Sequence, residues 1–217
     1  MNLIARPDSR IGEQRLLLHD ICWDEYVALG EILKDRPALR MTYDRGNLEF
    51  MTTSPEHERL KKRLSSILEA LADEFGREIA TAGNMTFRRE DLDRGLEPDD
   101  CFWIAHERAM RACKDWDPTR DPPPDLIVEI EISRSALNRL GMFATLGVPE
   151  VWRCDGEHFH IHVLQPSGEY QEVKDSPIFP GIPIVEIIPF LQEDETRGYL
   201  AMLRAFREWV QQHLPKS

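Results

Sequence analysis

Apolar and polar residues alternate along residues 125–133 with the two-residue period of a β-strand. One face of this stretch is branched and apolar: Leu126, Val128, Ile130 and Ile132. The opposite face carries three acids: Asp125, Glu129 and Glu131. Because a solvated edge strand rarely combines aligned carboxylates with four branched apolar residues, the pattern predicts a core strand that carries a functional site.

The same periodicities predict the other elements of the chain. Helices are expected from Asp20 or Trp23 to before Pro37, from Ser54 to Gly76, and over 106–114, 135–146 and 196–214. Strands are expected over 39–43, 47–51, 78–80, 85–88, 97–104, 150–154, 158–164 and 170–173. The first two strands should form a hairpin around Asp44-Arg45-Gly46, with the glycine at a positive φ.

One α/β domain spanning residues 1–217 is the simplest arrangement of these elements, because no repeat or biased linker divides the chain. Residues 1–20 are expected to form an irregular arm, within which 15–18 could add a short edge strand. The helix over 135–146 joins two strands and predicts a right-handed parallel crossover. Residues 194–217 are expected to provide a C-terminal helix.

Composition narrows the class of protein. With 41% hydrophobic and 30% charged residues, no bilayer-length apolar run and no signal-like start, the chain is expected to be globular, cytoplasmic and free of membrane contact. Four scattered cysteines indicate neither a zinc ribbon nor a disulfide framework. The net charge of −12 argues against indiscriminate nucleic-acid binding, so a polyanion would need a local basic patch. The densest patch is Arg59, Lys61, Lys62 and Arg63.

The candidate chemistry comes from carboxylates on neighbouring strands, which repel one another unless they are protonated, hydrogen-bonded or bound to a cation. Asp99 and Glu129, with Glu131 or Asp125 as a further ligand, offer the hard oxygen atoms that suit Mg²⁺ or Mn²⁺. Such ions bind phosphates and lower the pKa of bound water, so phosphodiester hydrolysis is the predicted reaction. Arg139, near the start of the following helix, would stabilise the developing negative charge.

Three ordered motifs resemble the Uma family of restriction-endonuclease-like proteins, within the PD-(D/E)XK nuclease superfamily. They are Pro98-Asp99, the stretch from Pro124 to Ile132, and Leu137-Asn138-Arg139-Leu140 with Gly147-Val148-Pro149-Glu150-Val151-Trp152. The resemblance runs from the helix at Trp23 to the helix at Trp209. It implies an α/β fold with a restriction-endonuclease-like mixed sheet core (helix, three strands, helix, strand), an N-terminal helix and hairpin, and a C-terminal helix.

The resemblance also implies that Asp99 and Glu129 hold a divalent metal. This chain departs from the superfamily pattern at Glu131, where a lysine is expected two residues after the second acid; a cation moved onto the following helix would fall at Arg139. Arginine is almost never deprotonated and cannot replace a lysine general base. The predicted catalytic set is Asp99, Glu129, Arg139 and Glu131. The predicted metal ligands are Asp99, Glu129 and Asp125.

Each of these residues also has a structural interpretation. Asp99 could cap a turn after Pro98, and Glu129 could form a structural ion pair with Arg139. Asp125 could simply end the proline-rich loop, and Glu131 could lie at the solvated end of the strand.

Histidines near these elements are weaker candidates. Glu56 and His57 could face the acids, but the helix dipole and a surface hydrogen bond explain them more simply. His158, His160 and His162 alternate on one strand face, where exposure to solvent is favoured over metal binding.

These observations give a leading hypothesis of a Mg²⁺-dependent endonuclease acting on nucleic acid, most readily DNA. The alternative is a catalytically weakened nuclease fold that serves as a nucleic-acid or protein-binding module. A third interpretation places the acids and Arg139 in an ion-pair network at a homodimer interface.

Overall fold

The computed structural model describes residues 12–36, 38–83 and 85–214, without the side chains of 193–197. The strands are β1 Gln14–Leu18, β2 Leu39–Asp44, β3 Asn47–Thr52, β4 Ala80–Thr81, β5 Phe87–Arg89, β6 Arg94–Leu96, β7 Asp100–Trp103, β8 Leu126–Ile130, β9 Glu150–Cys154, β10 Phe159–Leu164 and β11 Tyr170–Val173. The helices are α1 Trp23–Leu33, α2 Pro55–Glu74, α3 Glu107–Met110, α4 Arg139–Leu146, α5 Ile188–Arg197 and α6 Tyr199–His213. In the part of the chain described, none of these helices combines the length and apolar character needed to cross a membrane.

Two sheets organise the strands. The first is antiparallel, with the order β1-β3-β2-β6-β5. The second is mixed, with the order β11-β10-β9-β8-β7-β4. Within it β8 and β9 pair in parallel through α4, which confirms the predicted parallel pairing, and β9, β10 and β11 form the predicted antiparallel finish.

Strand β8 is buried on both faces. Leu126, Val128 and Ile130 pack in the same apolar cluster as the leucines of α2 and the inner face of α6. Ile127 points the other way and packs with Phe143 of α4. The mixed sheet is therefore covered by helices on both sides, so a glutamate on β8 needs a polar partner inside the protein.

The start of α2 follows its sequence signals. The Ser54 hydroxyl caps the helix by accepting from the His57 amide at 3.1 Å, and Pro55 occupies the first helical position. The predicted apolar stripe is fully packed: Leu60, Leu64, Ile67, Leu68 and Leu71. This capping fixes the first turn of α2 and thereby positions His57.

The hairpin between β2 and β3 turns through Arg45 and Gly46, whose φ values are 46° and 85°. Two consecutive positive φ angles are typical of the two-residue turn that matches strand twist. The predicted hairpin is thus confirmed. It carries Thr42 and Glu49, both of which contact the candidate site described below.

Several predicted boundaries differ from the structure. The helix expected over 135–146 begins only at Arg139, because the Asn138 side chain caps Gly141 and Glu49 binds the preceding loop. The strand expected over 97–104 is shorter in the structure, where β7 begins at Asp100 and Asp99 directly precedes it. Gly198, with φ of 81°, separates α5 from α6 where one C-terminal helix was expected.

The expected irregular arm has a regular part. Residues 1–11 lie outside the described residues, but 14–18 pair with β3 as the predicted edge strand. Pro37, before which the first helix was expected to end, also lies outside the described residues; α1 ends at Leu33.

Candidate active site

The pairing of β7 with β8 brings Asp99 and Glu129 together. Asp100 lies opposite Val128, so Asp99 stands beside Glu129 on the neighbouring strand. Asp99 Oδ2 also accepts the amide of Ile130 at 2.8 Å. The two acids are only 4% and 5% exposed, which makes them a buried carboxylate pair.

His57 is the nearest partner of Asp99. Its Nε2 lies 2.8 Å from Asp99 Oδ1, and its Nδ1 lies 3.4 Å from a carboxylate oxygen of Glu13. Burial alone would lower the pKa of His57, but the hydrogen bond to Asp99 and the negative charges of Asp99 and Glu13 raise it to about 9. Burial would likewise raise the pKa of Asp99, but His57 holds it below its usual value. Asp99 is therefore kept ionised beside a protonated imidazole.

The surface interpretation of His57 is wrong, because its side chain is fully buried. The available sequence signal was its place in the first turn of a capped helix, three residues after Ser54. That signal predicted the helix, but it did not predict that His57 would contact Asp99.

Arg139 holds Glu129 from the other side. Its Nε and Nη2 donate to the two carboxylate oxygens at 2.6 and 2.8 Å. The same guanidinium donates to the hydroxyl of Thr42 at 2.5 Å and to the carbonyl of Glu97 at 2.9 Å. Burial raises the pKa of Glu129 while Arg139 opposes that rise. The predicted ion pair is present, and it forms within a single chain.

Glu131 lies just beyond the end of β8, where it forms an ion pair with Arg153 of β9. Together with Arg134 and Arg139 these residues line a cavity of about 200 Å³ at the carboxyl end of the strand. Glu131 is thus adjacent to the carboxylate pair but is held by a cation of its own.

Asp125 is not part of this constellation. Its Oδ2 accepts the amides of Ile104 and Ala105 at 2.7 and 2.9 Å, and its Oδ1 lies 2.9 Å from Nδ1 of His106. Asp125 precedes β8 and is four positions from Glu129, roughly 13 Å at the rise of a strand. Its predicted place among the metal ligands is corrected: sharing a strand face with Glu129 does not bring it near enough.

A loop over residues 131–138 is held against the antiparallel sheet by Glu49, which is 2% exposed. Glu49 accepts from Arg15, from the Ser135 hydroxyl and from the Ala136 amide, each at 2.7 Å. Glu13 accepts the amide of Ser133 at the same distance. These acids had not been predicted, since nothing in their local sequence indicates which distant loop they contact.

The predicted basic patch is divided by the helical geometry of α2. Arg59 and Arg63 line a cavity of about 620 Å³ together with Glu131, and Arg63 also donates to the Leu191 carbonyl at 2.7 Å. Lys62 is exposed, whereas Lys61 lies near Asp100: burial raises the pKa of that carboxyl and Lys61 opposes the shift. Only part of the patch therefore borders the acids.

His158, directly before β10, and His160 and His162 within it share one face, with successive ring centroids 6.5 and 6.3 Å apart. His158 and His160 are exposed and lie 3.0 and 2.8 Å from Asp155 and Glu172, while His162 is 9% exposed. Within the described residues, no group of three or more histidine, cysteine or acidic side chains is arranged to hold a metal ion.

The mixed sheet, its β8-α4-β9 crossover and the buried carboxylate pair define a restriction-endonuclease-like nuclease fold. A crystal structure described as that of a "putative nuclease belonging to DUF820", from Anabaena variabilis ATCC 29413, shares this fold. It is 15% identical to this chain, with a TM-score of 0.50 over 70% of this chain and 90% of that one.

The family follows from sequence. The model of the Uma2 family, described as "Putative restriction endonuclease", matches residues 23–193, and the chain belongs to that family. No curated protein gives a significant match. The predicted fold class and family are confirmed.

Proposed function

We propose that the chain is a metal-dependent endonuclease that hydrolyses phosphodiester bonds of nucleic acid, with DNA as the expected substrate. One observation carries the proposal: Asp99 and Glu129 form a buried carboxylate pair on adjacent strands of a restriction-endonuclease-like sheet. Burying two like charges side by side costs folding free energy, so such pairs concentrate at functional sites.

The donor set suits a hard divalent cation. Mg²⁺ is commonly held by one or two carboxylates and completes its octahedral shell with waters and substrate phosphate oxygens, so two acids are sufficient. Asp99 and Glu129 would hold Mg²⁺ or Mn²⁺ in this way. When bound, the cation would supply a water of lowered pKa and neutralise charge on the phosphate.

His57 acts in this proposal as a positioning residue. Protonated at neutral pH, its Nε2 fixes one oxygen of Asp99, while the Ile130 amide fixes the other. Both interactions favour the ionised form of Asp99, which is the form that binds metal. A hydrogen-bonded acid that is already oriented loses less conformational freedom on binding.

Arg139 pairs with Glu129 in the structure and would contact the phosphate during the reaction, and one N–H group cannot serve both partners. In the structure it occupies both oxygens of Glu129, so metal binding requires it to release at least one. Its contacts with Thr42 and the Glu97 carbonyl keep the guanidinium in place during that release. The freed N–H would then donate to a phosphate oxygen, for which arginine is well shaped.

Arginines around the carboxyl end of β8 supply the expected phosphate contacts. Arg59 of α2 borders the cavity that also contains Glu131, and Arg134 and Arg153 border the adjoining one. In a chain of net charge −12, these arginines are the cations available to a docking polyanion, and they share their cavities with acids such as Glu56, Asp155 and Glu157.

Cleavage of supercoiled plasmid, linear duplex DNA and single-stranded RNA, with Mg²⁺ or Mn²⁺ and with EDTA, tests the proposal. The wild type should cleave DNA only with a divalent ion, Glu129→Gln should lose cleavage, and the exposed Glu186→Gln should retain it. A circular-dichroism melt of each variant controls for folding. Cleavage by Glu129→Gln at the wild-type rate, or none by the wild type with either ion, would refute it.

The binding module remains a second candidate because of a specific observation: both acids already have cationic partners in His57 and Arg139, and Arg153 neutralises Glu131. A site neutralised in this way is stable without metal. For this alternative we expect nucleic-acid binding that neither requires divalent ions nor leads to cleavage.

A further inference from the structure

A second concave basic surface lies outside the carboxylate pair, in a cavity of about 560 Å³ that we term the arginine cavity. It is formed by α1, β2, β5 and the segment around Trp116. The side chains that define it are Arg36, Arg40, Arg88, Glu97, Lys114 and Trp116. Its volume falls within the roughly 300–1,000 Å³ of small-molecule sites.

Cations outnumber anions in this cavity. Five basic residues line it: Lys34, Arg36, Arg40, Arg88 and Lys114. Three acids line it: Glu31, Glu97 and Asp115. Glu31 pairs with Lys34 at 3.3 Å, which leaves four cations against two acids. Because the whole chain carries a charge of −12, this local positive excess is the reverse of its average surface.

Two arginines in the cavity are short of partners. Arg40 is 6% exposed, and its Nε has no hydrogen-bond partner among the described residues; Glu97 lies 4.0 Å from its Nη1. The Nε of the half-buried Arg88 is also unsatisfied within the described part of the chain, and its guanidinium lies 5.7 Å from the ring centroid of Tyr26. Both Nε atoms are enclosed by the protein, so an anion in the cavity would be bound by the exposed Arg36 and Lys114 and by the terminal N–H groups of the half-buried Arg88.

The arginine cavity adjoins the candidate active site. Arg40 and Thr42 are two residues apart on β2 and so project from the same face. Thr42 accepts from Arg139, and Glu97, whose carboxylate borders the cavity, accepts from Arg139 through its carbonyl. One guanidinium therefore contacts Glu129 of the carboxylate pair and the backbone of Glu97, a residue that lines the arginine cavity.

We propose that the arginine cavity is an anion subsite that binds a phosphate group of a polynucleotide strand lying across the candidate active site. The proposal rests on the proposed function for its ligand. Arginine N–H groups match phosphate oxygens in geometry, and buried arginines supply that match with little loss of side-chain freedom.

Fluorescence anisotropy with a fluorescein-labelled 20-mer, single-stranded and duplex, in EDTA measures this binding without cleavage. We expect Arg88→Gln and the double variant Arg36→Gln/Lys114→Gln to raise the Kd at least about tenfold. Each lost phosphate contact should lower the slope of log Kd against log salt by about 0.7 for single strands or 0.9 for duplex. The exposed Arg120→Gln, paired with Asp121, is the charge-matched control.

Arg40→Gln is less suitable because the side chain is buried, so the exposed pair Arg36 and Lys114 keeps the test independent of folding. A Kd and salt slope equal to those of the Arg120→Gln control, in both cavity variants, would overturn the proposal. So would a wild type that binds neither oligonucleotide.

Isothermal titration with pyrophosphate tests whether the arginine cavity binds a free phosphate compound instead of a phosphate group in a polynucleotide strand. Pyrophosphate binding lost in Arg88→Gln, with unchanged oligonucleotide affinity, would overturn the polynucleotide assignment. The nuclease proposal fails separately: a wild type that binds DNA through the cavity but never cleaves it refutes only the nuclease. Cleavage with DNA binding unchanged in the cavity variants refutes only the subsite.

Discussion

Arg139 donates to both carboxylate oxygens of Glu129, from Nε at 2.6 Å and from Nη2 at 2.8 Å. Glu129 is buried and the Arg139 side chain is only 13% exposed, and the same guanidinium contacts Thr42 on the antiparallel sheet. It therefore joins the two sheets at the candidate site. It also competes with any cation for Glu129. The ion pair therefore stabilises the fold and at the same time opposes metal binding.

Replacing Arg139 with alanine should destabilise the fold strongly. The change leaves Glu129 buried without its cation, and breaking a buried pair in this way costs about 3–5 kcal/mol. Urea denaturation would measure the lower free energy of unfolding. Lys34→Ala is the control, because Lys34 and its partner Glu31 are both exposed and such pairs contribute about 0–1 kcal/mol. Equal losses in both variants would contradict the buried-pair account.

Stability should fall at alkaline pH because of His57. Its pKa is about 9 in the folded protein, against 6.5 ordinarily, so the folded state binds the proton more tightly. The resulting stabilisation is fully present below pH 6.5 and is lost as the pH rises through about 9. Its size is on the order of 3 kcal/mol.

Urea denaturation of the wild type and of His57→Gln, in EDTA between pH 6 and 10, isolates this contribution. The difference in unfolding free energy between the two proteins should shrink across that range. A difference that stays constant with pH would show that His57 is not protonated beside Asp99.

Asp125 should matter for stability and not for metal binding. Asp125→Ala removes the acceptor of the Ile104 and Ala105 amides, which should cost about 0.5–1.5 kcal/mol because both hydrogen bonds are only partly buried. Thermal denaturation would record the loss, while the Mn²⁺ affinity of the folded variant should equal that of the wild type. A weakened Mn²⁺ affinity would restore Asp125 to the metal site.

The elements around the site were predictable where the sequence signal is local. The β2-β3 hairpin, the capped start of α2 and the apolar face of β8 each depend on neighbouring residues, and each was confirmed. The start of α4 was misplaced by four residues because Glu49, about 90 positions upstream, binds the loop before it.

The residues that contact Asp99 and Arg139 were harder to predict, because these contacts join distant parts of the sequence. His57 meets Asp99 across 42 residues, and Thr42 meets Arg139 across 97. Charge and capping rules describe a residue within its own helix or strand, but such contacts depend on how the two sheets pack. Glu129 with Arg139 was accessible because ten residues and one short loop separate them.

A lysine at position 131 should raise activity. Glu131 stands where the superfamily pattern has lysine, and it borders the cavity next to Glu129. We expect Glu131→Lys to increase Mg²⁺-dependent DNA cleavage at least about tenfold, a modest share of what a positioned acid or base contributes. Glu131→Gln, which removes the Arg153 pair without adding a cation, is the control. Equal cleavage rates for the two variants would show that a lysine at position 131 does not supply the catalytic function expected of it.

Mn²⁺ titration calorimetry on the wild type, Asp99→Asn, Glu129→Gln and Glu186→Gln tests the central claim most directly. The account predicts one Mn²⁺ site in the wild type and in Glu186→Gln, and a loss of binding in both Asp99→Asn and Glu129→Gln while all four proteins remain folded. Mn²⁺ binding of equal affinity in all four, or in none of them, would contradict the assignment of Asp99 and Glu129 as the metal ligands.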